Sequence, residues 1–112
     1  METTKNTTVL DGNITTAQLQ TWKSKYGKLI KVSVDNDESE KCYAYFRKPT
    51  MATRAAVLQT SKADEFKALE VLFKNCFLGG DQEIEMDDDL KLSVITAFAD
   101  VTQPKEATAK KI

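Results

Sequence analysis

Apolar residues recur at intervals of three and four positions most clearly between residues 62 and 77. This spacing places them on one face of a helix, and the stripe consists of Phe66, Leu69, Leu72, Phe73, Cys76 and Phe77. Ser61 precedes the segment as an N-cap, with Asp64 three positions later. We predict a helix over 62–77 that anchors the core, because burial of each large apolar side chain contributes about 1.5–3 kcal/mol before entropy is subtracted.

Two shorter segments alternate apolar and polar residues with the period of a β-strand. The inward positions are Ile30, Val32 and Val34 in the first segment, and Cys42, Ala44 and Phe46 in the second. The stretch between the segments, "DNDESE", consists of turn formers and acids. We therefore predict an antiparallel hairpin of strands 29–34 and 41–47 with a six-residue loop.

Capping residues mark a helix near the start of the chain. Thr15 and Gln18 have the spacing of a capping box, and Gly27 can adopt the left-handed conformation that ends a helix. These signals predict a helix over 16–26. Residues 1–13 are polar apart from one apolar pair, which predicts a flexible arm or a strand that orders late.

Two more helices are predicted further along. Thr50, which follows the strand-ending Pro49, is placed to cap a helix over 51–60. In residues 90–101 ("LKLSVITAFADV") the apolar positions again have helical spacing, and although "LKLSVI" alone is compatible with a strand, we favour a helix. Residues 103–112 are polar and are predicted to form a flexible tail.

Together these elements predict an α+β fold, a small single domain over 14–102 in which an antiparallel β-hairpin packs against three to four helices. A chain of 112 residues can bury only about two thirds of its unfolded surface, so it builds one core. No segment approaches the roughly twenty apolar residues of a membrane span, and the N-terminal region has no apolar stretch of signal length. We expect a cytoplasmic protein with no membrane partner.

The charge balance does not favour nucleic acid as a partner. Sixteen basic and seventeen acidic side chains leave a net charge of −1, which produces no attractive field for phosphates. Tyr43 and Tyr45, flanked by Lys41 and Arg47, could stack on bases, but without a basic surplus cross-strand packing is the favoured interpretation. Trp22 is predicted to be an anchor in the core or in an interface.

The residue inventory excludes several kinds of catalytic site. The chain has no histidine, which rules out a Ser-His-Asp triad, a Cys-His dyad and histidine-ligated zinc. The two cysteines, Cys42 and Cys76, have neither metal-site spacing nor a neighbouring base, and we expect them to be reduced and buried. We therefore expect no enzymatic activity, no cofactor and no small-molecule substrate.

The acidic segment between Asp81 and Asp89 invites a calcium hypothesis. An EF-hand loop requires acids at alternating positions followed by glycine and then glutamate, whereas here Gly79 and Gly80 come first and an apolar residue closes the segment. We predict instead a junction between helices. In it one glycine ends the preceding helix, residues 83–85 form an extended link with Ile84 turned inward, and Asp87 caps the last helix.

Three segments resemble small proteins encoded by tailed bacteriophages and prophages, particularly those of Bacteroidetes-type hosts. They are "WKSKYGKLIKVSV", "CYAYFRKPT" and "VLFKNCFLGGDQEIEMDDDL", and the resemblance covers residues 22–101. The chain is similar in particular to the tail assembly chaperones, which are small helical or α+β proteins that coat the tape-measure protein while the tail tube polymerises. The resemblance implies a non-enzymatic morphogenesis factor of the host cytoplasm that forms homo-oligomers and binds tape-measure or other virion proteins.

Such a role requires an exposed apolar surface. We expect it in a groove between the helices predicted over 62–77 and 88–101. The partner-binding candidates, which serve partly the core and partly the partner, are Leu69, Phe73, Phe77, Val94, Ile95 and Phe98. One alternative is a structural virion component, such as a head–tail connector or a capsid accessory subunit. Another is a host-directed inhibitor in which the acids of residues 81–89 imitate nucleic-acid charge.

Overall fold

The computed structural model describes residues 8–112 and contains, within that range, five helices and two antiparallel sheets. In chain order the elements are β1 (Val9–Leu10), β2 (Ile14–Thr15), α1 (Thr16–Tyr26), β3 (Leu29–Asp35), β4 (Lys41–Arg47), α2 (Met51–Ser61), α3 (Glu65–Cys76), β5 (Phe77–Gly80), α4 (Gln82–Met86) and α5 (Asp88–Val101). The predicted α+β class of a small single domain is confirmed.

The predicted hairpin is present as β3 and β4. Its register places Ile30 opposite Phe46 and Val34 opposite Cys42, so the apolar positions of both strands lie on one face. The loop has five residues, one fewer than predicted, because Asp35 still pairs with Lys41. Within the loop the Asn36 side-chain oxygen accepts hydrogen bonds from two backbone N–H groups, each at 2.9 Å, which supply the partners that a tight turn otherwise lacks.

A third strand, β5, joins the hairpin where the sequence predicts the end of a helix. Helix α3 ends at Cys76, and Phe77–Gly80 pairs antiparallel with β4, which gives the strand order β3-β4-β5. The predictions that the helix reaches residue 77 and that Gly79 or Gly80 forms its left-handed C-cap are therefore wrong. Strand β4 is consequently the central strand of the sheet.

The two glycines of β5 are needed for close packing on both sides. A Cβ atom on Gly80 would overlap the carbonyl oxygen of Tyr43, and one on Gly79 would lie 2.8 Å from the Trp22 ring. Any side chain at Gly80 would push β5 away from β4. These residues are therefore glycines for steric reasons within a strand.

Helix α3 begins later than predicted. Asp64, and not Ser61, is its N-cap, and the carboxylate accepts hydrogen bonds from Phe66 N at 3.0 Å and Lys67 N at 3.1 Å. Ser61 is instead the last residue of α2, whose predicted N-cap Thr50 is confirmed. A carboxylate at the N-cap also interacts favourably with the positive end of the helix dipole.

The acidic segment also differs from its prediction. Residues 82–86 form helix α4 and not an extended link, although Ile84 is fully buried as expected. Asp87 caps α5 through a hydrogen bond from Asp89 N at 2.9 Å, which confirms its predicted role. The last predicted helix is confirmed as α5, which excludes the strand alternative for "LKLSVI".

The core lies between one face of the sheet and helices α3, α4 and α5. Phe46 of β4 is fully buried at its centre and stacks on Phe98 with 4.2 Å between ring centroids. Phe73 and Phe77 meet the same ring edge-on, at 5.8 and 5.7 Å. These contacts fix α3 and α5 on the sheet through one aromatic side chain.

The opposite face of the sheet is covered by α1 and the β1–β2 hairpin. Tyr45 is buried there, its hydroxyl donates to the Asp11 carbonyl oxygen at 2.8 Å, and its ring lies 6.0 Å from that of Trp22. Of the arm predicted at 1–13, residues 8–13 contain β1 and the turn towards β2, while residues 1–7 lie outside the described residues. The capping box that begins α1 is confirmed.

Residues 103–112 contain no helix or strand and their side chains are exposed. Along residues 8–112 no helix is both long enough and apolar enough to cross a bilayer.

Substitution of Gly80 by alanine should destabilise the fold, because the new Cβ atom would meet the Tyr43 carbonyl. We expect Gly80→Ala to lower the free energy of unfolding by about 1–3 kcal/mol more than Gly27→Ala. Gly27 also has a positive φ, of 78°, but a Cβ atom there would meet no other atom within 4 Å. The difference between the two variants therefore measures the steric clash at Gly80. Urea unfolding measures both variants, and equal midpoints would contradict the assignment of β5.

Candidate protein-binding groove

An open groove runs between helices α3 and α5. It has a volume of about 420 Å³ and is lined by Asp64, Phe66, Lys67, Leu69, Glu70, Phe73, Asp88, Lys91, Leu92 and Ile95. We refer to these ten residues as the α3/α5 groove. Its location agrees with the groove predicted between these helices.

Helical periodicity brings the groove residues together. On α3 the apolar members Phe66, Leu69 and Phe73 follow one another at intervals of three and four residues, which places them on one face. On α5 the apolar members Leu92 and Ile95 are three residues apart and face α3 in the same way. The groove is therefore formed by the adjoining sides of two amphipathic helices.

The apolar surface of the groove is partly exposed. Phe66 is 69% exposed and Leu92 is 41% exposed, whereas Phe73 and Ile95 are buried and form the floor. Leu69 is half-buried between them. Large apolar side chains that remain exposed beside an apolar floor are typical of protein interaction sites.

Charged side chains of both signs surround this apolar surface. Asp64, Glu70 and Asp88 contribute carboxylates, and Lys67 and Lys91 contribute amines. None of these five side chains forms a salt bridge within residues 8–112, where the ion pairs are Lys31–Asp11 and Lys41–Asp35. The Lys91 amine lies 4.9 Å from the centroid of the Phe73 ring. Asp64 is engaged as the N-cap of α3, and the other four charged side chains have no ion-pair partner within residues 8–112.

The structure divides the six predicted partner-binding residues into two groups. Leu69, Phe73 and Ile95 line the α3/α5 groove. Val94 and Phe98 are 0% exposed in the core, because they face the sheet and not α3, so they cannot contact a partner of the folded protein. This placement corrects their assignment.

Phe77, the remaining predicted residue, lies outside the α3/α5 groove. It belongs to β5 and stacks on Phe73 with 4.6 Å between ring centroids. Phe77 is half-buried and lines a neighbouring pocket of about 400 Å³ that shares Glu70, Phe73 and Lys91 with the groove, so it lies beside the α3/α5 groove and not within it.

Sequence reasoning missed Phe66 and Leu92 as surface residues. Phe66 belongs to the apolar stripe of α3 and was therefore expected in the core, and Leu92 was not singled out. The position of Phe66 in the sequence indicates its exposure, because Phe66 lies at the end of the apolar stripe, in the first turn of its helix and two residues after the N-cap. Periodicity identifies the apolar face but does not tell how far along it the core extends.

Three acids of the segment 81–89 have structural roles. The Asp81 carboxylate accepts a hydrogen bond from Tyr43 N at 2.8 Å and so completes the pairing of β4 beyond β5. The Glu83 carboxylate accepts from the Asn36 amide at 3.2 Å and holds the hairpin loop, and Asp87 caps α5. Among the described residues, no three carboxylate or thiol side chains converge in a way that could hold a metal ion.

Both cysteines are buried free thiols, as predicted. The Cys42 thiol donates to Glu83 Oε1 at 3.3 Å. Burial, with this hydrogen bond and the adjacent negative charges, raises the pKa of Cys42 to about 11. Burial likewise raises the pKa of Cys76. The electrostatic environment therefore opposes the thiolate form that a nucleophilic cysteine requires.

The tyrosines of β4 are engaged by the protein itself. Tyr45 is covered by the β1–β2 hairpin, and the Lys31 amine lies 5.0 Å from the centroid of the Tyr43 ring. These contacts agree with cross-strand packing and leave Tyr45 without a free ring face for a base.

Comparison of the chain with protein-family models, with curated proteins and with solved structures gives no match.

Cys42 should react slowly with thiol reagents in the folded protein. A rise in pKa from 9.0 to about 11 lowers the thiolate fraction at neutral pH on the order of a hundredfold, in addition to steric protection. Glu83→Gln should raise the alkylation rate, because it removes the nearest negative charge, whereas the exposed Glu85→Gln on the same helix should not. Iodoacetamide labelling followed by peptide mass spectrometry measures the rates, and equal rates in both variants would contradict this explanation.

Proposed function

We propose that this chain is a non-enzymatic protein-binding factor whose α3/α5 groove receives one face of an amphipathic helix from a partner protein. The observation that carries the proposal is the exposure of Phe66 and Leu92, at 69% and 41%, beside a buried apolar floor. Burial of such side chains on binding is favourable at roughly 25 cal/mol per Å² of apolar surface. A folded protein that leaves them in water gains this contribution when the partner binds.

The form of the groove supports a helical ligand. It lies between two helices, and a third helix can lay side chains spaced at i, i+3, i+4 and i+7 into such a channel. The floor formed by Phe73 and Ile95 is apolar, and the rim carries carboxylates and amines that form no salt bridge within residues 8–112. An apolar floor with charged rims matches the two faces of an amphipathic helix, so the rim charges set its orientation while the floor supplies affinity.

The resemblance to tailed-phage proteins suggests the identity of this partner. Under the proposal the helix belongs to the tape-measure protein, which the chain covers in the host cytoplasm while the tail is assembled. A chaperone of this kind needs reversible contact with many similar helical segments. A shallow groove whose specificity depends on a few apolar positions suits that requirement better than a deep and selective pocket.

The groove residues that are exposed in the free protein provide the test. Phe66→Ala and Leu92→Ala should each weaken binding to a tape-measure segment about tenfold or more, because aromatic and apolar anchors at the centre of an interface carry most of its affinity. Both side chains are exposed, so the fold should tolerate the substitutions. Isothermal titration with purified tape-measure segments measures the dissociation constants.

Leu58→Ala is the matched control. Leu58 is also a large exposed apolar residue on a helix, but it lies on α2 and does not line the groove. Binding that is lost equally in all three variants, or in none of them, would reject the groove as the binding surface. Failure of the wild-type chain to bind any tape-measure segment would reject the proposed partner.

A further inference from the structure

Strand β3 forms an open edge of the three-stranded sheet. The sheet order is β3-β4-β5, so β3 has β4 on one side and no strand of the described chain on the other. Asn36 N donates to Glu40 O at 2.9 Å, which makes residues 36 and 40 a hydrogen-bonded pair. Hydrogen-bonded pairs alternate along an antiparallel ladder, so the even-numbered residues of β3 bond to β4. The odd-numbered residues direct their backbone groups outward.

These outward groups have no partner within residues 8–112. They are the N–H and C=O groups of Leu29, Lys31, Ser33 and Asp35. The strand is seven residues long and has no proline or bulge, since its pairing with β4 is continuous from end to end. A straight edge strand of this length is a template for addition of another strand.

The apolar side of the same edge is also incompletely covered. Ile30 and Val34 remain half-buried, whereas their neighbours on β4, Phe46 and Cys42, are buried. A strand added beside β3 would cover Ile30 and Val34 from the open side. The edge thus offers both hydrogen-bonding groups and apolar surface.

We propose that β3 pairs antiparallel with β3 of a second copy of this chain, about a two-fold axis that passes beside Ser33. In this register Ser33 lies opposite Ser33 of the second copy, and Lys31 lies opposite Asp35 of the second copy. The two three-stranded sheets join into one sheet of six strands. A two-fold axis perpendicular to the sheet keeps each face of the sheet on its own side, so helices α3, α4 and α5 of both copies lie on the same side of the joined sheet.

Charge selects this partner and this register. Lys31 already pairs with Asp11 at 2.8 Å, and Asp35 pairs with Lys41 at 3.2 Å, on the same face of the sheet. In the dimer these pairs join into a row of alternating sign, in which Lys31 lies between Asp11 and Asp35 of the second copy. A pairing with its two-fold axis beside Lys31 would place Lys31 opposite Lys31 of the second copy, which like-charge repulsion disfavours, and one with its axis beside Val32 would place Lys31 opposite Ser33 and lose the Lys31–Asp35 pair.

One flank of α5 lies next to the open edge and faces the second copy in the proposed dimer. Lys91 and Ile95 face α3 across the groove, and α5 packs on β3, so the flank of α5 opposite the groove lies towards the open edge. That flank carries the small exposed residues Ser93 and Ala97. These small side chains are the part of α5 nearest to the second copy in the proposed dimer.

The oligomeric state in solution tests the proposal. Light scattering should give a particle of twice the 12.5 kDa chain mass. Ser33→Pro removes an outward N–H that bonds to nothing in the described chain and should weaken dimerisation at least tenfold, while Ser33→Thr retains the N–H and should leave it unchanged. Circular dichroism checks that both variants are folded. A single-chain mass for the wild type at its highest soluble concentration would overturn the proposal.

A cross-linking variant tests the register and does not depend on how the proline variant folds. Residues in a hydrogen-bonded antiparallel pair have Cα atoms about 5.5 Å apart, within reach of a short bis-maleimide. Ser33→Cys should therefore give a covalent dimer, whereas Gln59→Cys, on the exposed side of α2, should not; the native thiols are buried. Equal cross-linking of both variants, or none with Ser33→Cys, would refute the pairing.

This inference does not rest on the proposed function. The open edge and the α3/α5 groove lie on different sides of α5, and no groove residue belongs to β3. Loss of tape-measure binding in Phe66→Ala therefore leaves the dimer intact, and a monomeric chain can still bind a helix in its groove. A negative result for the groove therefore does not contradict the dimer, and a negative result for the dimer does not contradict the groove.

Discussion

The packing around Phe46 is the interaction on which the rest of this structure depends. Its ring is fully buried on the central strand, stacks on Phe98 of α5 and meets Phe73 of α3 at its edge. One residue thereby sets the position of both helices relative to the sheet and to each other. Helix α3 contacts Phe46 through Phe73, and α5 contacts it through Phe98. Phe66 and Leu92, on the adjoining sides of the two helices, remain exposed. The α3/α5 groove is a consequence of this division.

The central position of β4 explains the features that at first suggest a chemical site. The glycine pair allows β5 to approach β4 closely, and Asp81 continues the pairing where β5 ends. Glu83 holds the hairpin loop through Asn36 and opposes ionisation of Cys42. The acids and glycines that are concentrated in this segment therefore stabilise the sheet, while the proposed interaction surface consists of apolar residues on two helices. The further inference follows from the same sheet, since completion of β4 on both sides leaves β3 as an open edge.

Much of the fold could be predicted from local signals. The capping box of α1, the alternation of β3 and β4, and the caps Thr50 and Asp87 each act within a few residues, so the sequence reveals them directly. Strand β5 could not be predicted in this way, because glycine is disfavoured in strands and the segment is extended only through its pairing with β4. The groove between the two helices could be anticipated, but its members could not be separated from the core. Val94 and Ile95 are adjacent in sequence, and only the orientation of α5 on the sheet places one in the core and the other in the groove.

The central claim is that the adjoining sides of α3 and α5, whose positions are set by packing on Phe46, form the surface that contacts a partner helix. Methyl-resolved NMR during titration with a tape-measure segment tests it most directly. The account predicts that the methyl signals of Leu69, Leu92 and Ile95 shift progressively, while those of Leu58 on α2 and of the fully buried Val94 remain in place. Shifts centred on α2 or on the β1–β2 hairpin, with Leu69 and Leu92 unchanged, would contradict it.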